Sequence, residues 1–129
     1  MKKAPLILAI ALLVACRRAE TPQTTSSSVP PPPASAGNVA NGKQVAAQFG
    51  CGVCHVIPGI EGAEGALGPT LAGVASRPAI SDGVVKNTPA NLTQYILSPA
   101  SVNPQSRMPR MGVSPAEAQD ITAFLMTLK

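Results

Sequence analysis

Cys51-Gly52-Val53-Cys54-His55 is the stretch on which the reading of the whole chain turns. Two thiols three residues apart fall on one side of a helical turn, with an imidazole directly after the second. That spacing suits covalent attachment of a c-type haem, in which both thiols add to the vinyl groups and the imidazole binds the iron from the proximal side. Each competing reading lacks a part. A structural zinc site needs four ligands, and His55 is the one His in the sequence. A thioredoxin-like pair expects a βαβ context, which the pattern does not offer. A plain disulfide across two intervening residues is geometrically poor. The expected cofactor is therefore one covalent haem c with its iron, held by Cys51, Cys54 and His55.

Iron bound by His55 needs a sixth ligand or an open position. No second His exists, and Lys is strongly hydrated and normally charged, so Met leads. Met1 falls in the leader, and Met126 falls in the last expected helix, one step off its buried stripe. Met108 and Met111 stand in the Gly/Pro-rich loop Arg107-Met108-Pro109-Arg110-Met111-Gly112. A thioether is a soft ligand suited to iron that cycles between ferrous and ferric. Either Met could instead be core filler.

Around the motif the pattern is helical. Asn41–Phe49 follows an Asn cap candidate, with Val45 and Phe49 on one face. Thr88-Pro89 opens a second helix with Leu92, Tyr95 and Ile96 on one side, stopping near Ser98-Pro99. Ser114-Pro115-Ala116-Glu117 is a capping box, and Ile121, Phe124, Leu125 and Leu128 follow it at helical spacing. No segment shows sustained two-residue alternation. The Gly- and Pro-rich stretch from Pro58 to Gly73 reads as loop, and long loops in a compact domain usually wrap something. An all-α domain over residues 38–129 results.

Composition agrees. Of 129 residues only Phe49, Tyr95 and Phe124 are aromatic, and there is no Trp. So small a domain is short of core material, and a porphyrin supplies a large flat apolar body on which small residues pack. The formal charge of +4 hints at an anionic partner. It disperses on inspection. Lys2, Lys3, Arg17 and Arg18 are N-terminal, and beyond residue 37 six basic residues face five acidic ones without a cluster. Nucleic acid is excluded as a partner.

The N-terminus reads as an address and an anchor. Met-Lys-Lys precedes the apolar run Ala4–Ala15, whose 12 residues fall short of the roughly 20 that span a bilayer. It is a secretory signal over residues 1–15. The ending Leu13-Val14-Ala15-Cys16 resembles the lipobox of bacterial lipoproteins, which implies that Cys16 carries lipid and begins the mature chain. The alternative is a plain signal with an incidental Cys. Residues 16–37 then comprise the lipidated Cys and a Pro/Ser/Thr-rich disordered linker, able to reach roughly 60 Å at about 3.1 Å per residue. The alternative is a stalk with no role beyond spacing. The expected location is outside the cytoplasm, lipid-anchored to a bacterial membrane on its periplasmic or outer side. Arg17 is not the Asp that commonly marks inner-membrane retention.

Taken in order, Gly42, Cys51-x-x-Cys54-His55, Gly68-Pro69-x-Leu71, Met108-Pro109 and Ala123-Phe124-Leu125 resemble bacterial class I (monohaem) cytochrome c domains, over essentially all of residues 38–129. The resemblance implies three to five helices wrapped around one covalent haem. It implies His55 as proximal ligand and Met108, rather than Met111, as distal ligand, because the family often places Pro after that Met. It also implies a hydrogen bond from the proximal imidazole to the carbonyl of Pro69, and a close crossing of first and last helices at Gly42 and Phe124. There, Gly would let the aromatic ring approach the backbone. Arg77 and Tyr95 are candidates to hold the haem propionates, though a solvated Arg and a core Tyr fit equally well. Phe49 departs from the pattern, two or three residues later than the usual aromatic.

His/Met ligation leaves no iron site for substrate. The expected function is one-electron transfer through the haem edge near Cys51–Cys54, between a redox donor and acceptor in membrane complexes, and not enzyme catalysis. A domain charge near +1 predicts weak steering and a rate little affected by ionic strength. Two alternatives stand beside it: a haem sensor or enzyme with a displaceable Met, and a docking or assembly lipoprotein with a structural haem.

Overall fold

The computed structural model describes residues 37–129. The expected signal, the lipidated Cys16 and all of the linker but its last residue lie outside the described residues.

Local capping chemistry starts each long helix. The Asn38 side chain accepts from the Asn41 backbone N–H at 3.0 Å and opens α1 (Val39–Gln48). The helix therefore begins at Val39 rather than Asn41, because Asn38 supplies the capping oxygen, and Phe49 becomes its C-cap. Thr88 caps α3 (Pro89–Leu97) by accepting from the Asn91 N–H at 3.2 Å, with Pro89 in the first turn. Ser114 and Glu117 close the expected box on α5 (Pro115–Leu125): the Ser114 hydroxyl accepts from the Glu117 N–H at 3.3 Å, and the Glu117 carboxylate accepts from the Ser114 N–H at 2.7 Å. The bond from the Ser114 backbone, then that from its hydroxyl, holds the Glu117 carboxyl below the usual carboxylate range.

Two short helices complete the five: α2 (Cys51–Cys54) and α4 (Pro99–Val102). Between α2 and α3 come a 3₁₀ turn, Val74–Ser76, and an antiparallel ribbon of β1 (Ala79–Ile80) and β2 (Val85–Lys86), paired Ala79 to Lys86 and Ile80 to Val85. The ribbon escapes sequence reading because strands of two residues are too short to alternate. Its turn holds Ser81 and Asp82 at φ of 53° and 56°, a conformation that polar residues such as Asp tolerate. The last helix stops at Leu125 instead of running to Leu128, and Met126 is its C-cap; both Met126 and Leu128 still pack on the core.

α5 packs against both α1 and α3. Their inward faces supply Val45 and Ala46, Leu92 and Ile96, and Ala118, Ile121, Phe124 and Leu125, all buried. Burial of each large side chain is worth roughly 1.5–3 kcal/mol. Ile57, Val74, Ile80 and Val113 close the core from the connecting segments. Phe49 packs on it half-buried.

The α1–α5 crossing is close because Gly42 has no side chain. A Cβ there would fall on the Asp120 carbonyl and within 2.9 Å of the Ile121 nitrogen. The close α1–α5 crossing expected at Gly42 is present. Residue 120 sits at the crossing point, and Phe124, one turn further on, belongs to the buried core. The Asp120 carboxylate adds to the contact, accepting from the Asn38 N–H and the Asn41 side-chain N–H at 2.6 Å each, where the α1 N-terminus favours an anion. Gly42→Ala must push two backbones apart, not a flexible side chain. It should cost about 3 kcal/mol, the upper part of the overpacking range, and lower the melting temperature by roughly 10 °C or more. Thermal unfolding of the holoprotein checks this; an unchanged midpoint would contradict the crossing geometry.

Candidate functional site

The single turn α2 carries Cys51 and Cys54, and the His55 N–H still donates to the Cys51 carbonyl at 3.0 Å. His55 itself turns to extended backbone at φ −118°, so the chain leaves the helix as the imidazole is delivered. Both thiols are half-buried. Burial foremost, and secondarily the neighbouring Cys54, push the Cys51 thiol above its ordinary value, against a backbone hydrogen bond that lowers it.

His55 Nδ1 lies 2.7 Å from the Pro69 carbonyl oxygen. A carbonyl can only accept, so Nδ1 carries the proton and Nε2 keeps its lone pair. The loop that brings Pro69 there is tied back to the motif, with the Gly68 N–H donating to the Cys54 carbonyl at 2.7 Å and the Leu71 N–H to the Val56 carbonyl at 2.8 Å. Gly68 lies flush on the imidazole: a Cβ at this position would come within 2.7 Å of Nδ1 and 3.0 Å of Nε2. Only a residue without a side chain leaves the ring where Pro69 can hold it. Sequence spacing gives Gly68 no role of its own, since the contact spans thirteen residues.

Cys51, Cys54 and His55 border a cavity of about 570 Å³, well inside the ligand-pocket range of about 300–1,000 Å³. Its walls are mainly apolar, Leu71, Leu92, Ile96, Ile121, Leu125, Ile57 and Val74 among them. All the remaining candidates line this same space, namely Pro69, Arg77, Tyr95, Met108 and Met111. The two methionines differ in surroundings. Met111 packs against the hydrophobic core, and Met108 does not.

The polar candidates are engaged with protein. The Tyr95 hydroxyl is 2.7 Å from the Ser106 hydroxyl, which also accepts from the Met108 N–H at 3.2 Å. Tyr95 therefore braces the segment carrying Met108 through Ser106. Ser106 was not singled out from sequence; a Ser two residues before a candidate ligand is a local turn signal that could have found it. Arg77 donates from Nη2 to the carbonyls of Thr70 and Ala72, which leaves Nε and Nη1 without a protein partner among the described residues.

A porphyrin fits this setting on the structure's own terms. The slot is apolar, two thiols stand at one edge, and a Gly-cradled imidazole offers a free Nε2. The class these features define is a helical protein that holds one haem by thioether bonds. The family model described as "Cytochrome c" matches residues 39–129, and the chain belongs to the cytochrome c family. No curated protein sequence matches it. Family membership carries covalent haem c with iron at Cys51 and Cys54, a role as a haem-based electron carrier, and redox partners with which electrons are exchanged.

Proposed function

We propose that the chain is a membrane-tethered one-electron carrier of a respiratory chain, free or as a subunit of a respiratory complex, whose iron is ligated by His55 and Met108. The observation that carries the ligand assignment is the 2.7 Å contact of His55 Nδ1 with the Pro69 carbonyl, which leaves Nε2 free at the cavity. Met108 is the second ligand because its backbone is tied through Ser106 to Tyr95 and its side chain is not committed to the core. When bound, the haem supplies a one-electron couple. The chain's residues do the rest. Pro69 fixes the tautomer of His55 and makes Nε2 more basic. Met108 would be the second ligand to the iron, leaving no site for substrate and raising the potential relative to a nitrogen ligand. Arg77, through Nε or Nη1, and Tyr95 would hold the propionates, since both line the cavity. Lipid on Cys16 and the linker to residue 37 keep the domain near membrane partners outside the cytoplasm.

The test is direct. Full-length protein, exported together with haem-attachment machinery, is extracted from the membrane fraction with detergent. Its ferric form should show the Met–iron charge-transfer band, and its native ferrous form should not bind CO. Ready CO binding would favour the sensor or enzyme reading. A redox state that never exchanges within an intact complex would favour a structural haem.

A further inference from the structure

Arg77 makes contacts that the electron-carrier reading does not require. Its Nη2 carries two hydrogens and donates to the carbonyls of Thr70 and Ala72. These carbonyls flank Leu71 in the loop that begins at Pro69, and the Thr70 carbonyl is one peptide unit beyond the Pro69 carbonyl that receives His55. The root of Arg77 is itself held. Its backbone carbonyl accepts from the Asn87 side chain at 2.9 Å, and the same amide donates to the Val74 carbonyl at 2.8 Å. A chain of hydrogen bonds thus runs from the residue after the ribbon, through Arg77, to the loop whose Pro69 carbonyl receives the imidazole.

We propose that Arg77 is a positioning residue for the proximal ligand: its guanidinium clamps the Pro69–Ala72 loop so that the Pro69 carbonyl stays seated on His55 Nδ1. This rests on the reading of His55 as an iron ligand. A well-seated Nδ1–H···O=C bond makes Nε2 electron-rich and favours ferric iron. Loosening the clamp therefore raises the potential. Charge alone works the other way, because removing a cation beside the haem favours the ferric state and lowers the potential. Lys separates the two effects. It keeps the cation, but its ammonium is one atom shorter in reach and lacks the planar fork.

The experiment uses full-length holoprotein with Arg77→Lys and Arg77→Gln. NMR follows solvent exchange of the His55 Nδ1 proton, and redox titration gives the midpoint potential. Loss of two charge-assisted bonds should speed that exchange on the order of tenfold in both variants. The potential of Arg77→Lys should rise. Wild-type exchange in both variants overturns the proposal. So does a lysine variant identical to wild type in exchange and potential beside a glutamine variant of lowered potential, for then Arg77 acts only as a charge. If the glutamine variant fails to accumulate, the lysine variant decides alone. The wild-type spectrum is read first: a pigment without His-ligated iron would remove the functional reading itself, independently of any Arg77 variant.

Discussion

Replacement of both Cys51 and Cys54 by serine yields a chain that neither holds pigment through denaturation nor folds stably. The two thiols sit at the edge of a cavity of about 570 Å³ walled by the inner faces of α3 and α5. At about 24 cal/mol per Å³ of cavity, leaving that volume empty would cost about 14 kcal/mol, an upper figure because one side is open to water. A typical domain has only about 5–15 kcal/mol in total. The protein part of the core cannot compensate, since Phe124 is its one buried aromatic. Haem-stained denaturing gels should be blank for the double variant, and far-ultraviolet circular dichroism should show most helix lost. A pigment-free variant with native helix content would show that the fold does not depend on the group the thiols hold.

Met108→Ala should leave haem covalently attached while changing its iron. The charge-transfer band disappears, the potential falls, and the ferrous form gains CO binding at the vacated position. Met111→Ala should keep the band. Its cost is one of packing, about 1–2 kcal/mol, below the range of about 2–5 for a fully buried Met because Met111 is only half-buried against the core. Ser106 explains why so exposed a loop can present a ligand: it ties the Met108 N–H to the Tyr95 hydroxyl on α3. Should Met111→Ala remove the band and Met108→Ala preserve it, the two assignments exchange.

What could be read from the residues alone was whatever chemistry is local. Cys51, Cys54 and His55 lie within one turn, so their spacing carries the cofactor directly. Thr88 and Ser114 cap helices through bonds to residues three positions on, which is why α3 and α5 were legible at their starts. The proposed N-terminal address has the same character, being a pattern in consecutive residues.

Tertiary structure decided whatever depends on distant backbones meeting. That Gly42 meets the Asp120 carbonyl follows from where α1 crosses α5, 78 positions along the chain. That Gly68 must lack a side chain, and that Pro69 receives Nδ1, are consequences of a loop folding back over α2. Arg77 reads from sequence as a propionate candidate or a solvated charge; only the folded loop places the Thr70 and Ala72 carbonyls around its Nη2. Hydrogen-bond partners and steric gaps between such segments have no period or spacing, because they are set by how helices pack rather than by what lies next in the chain.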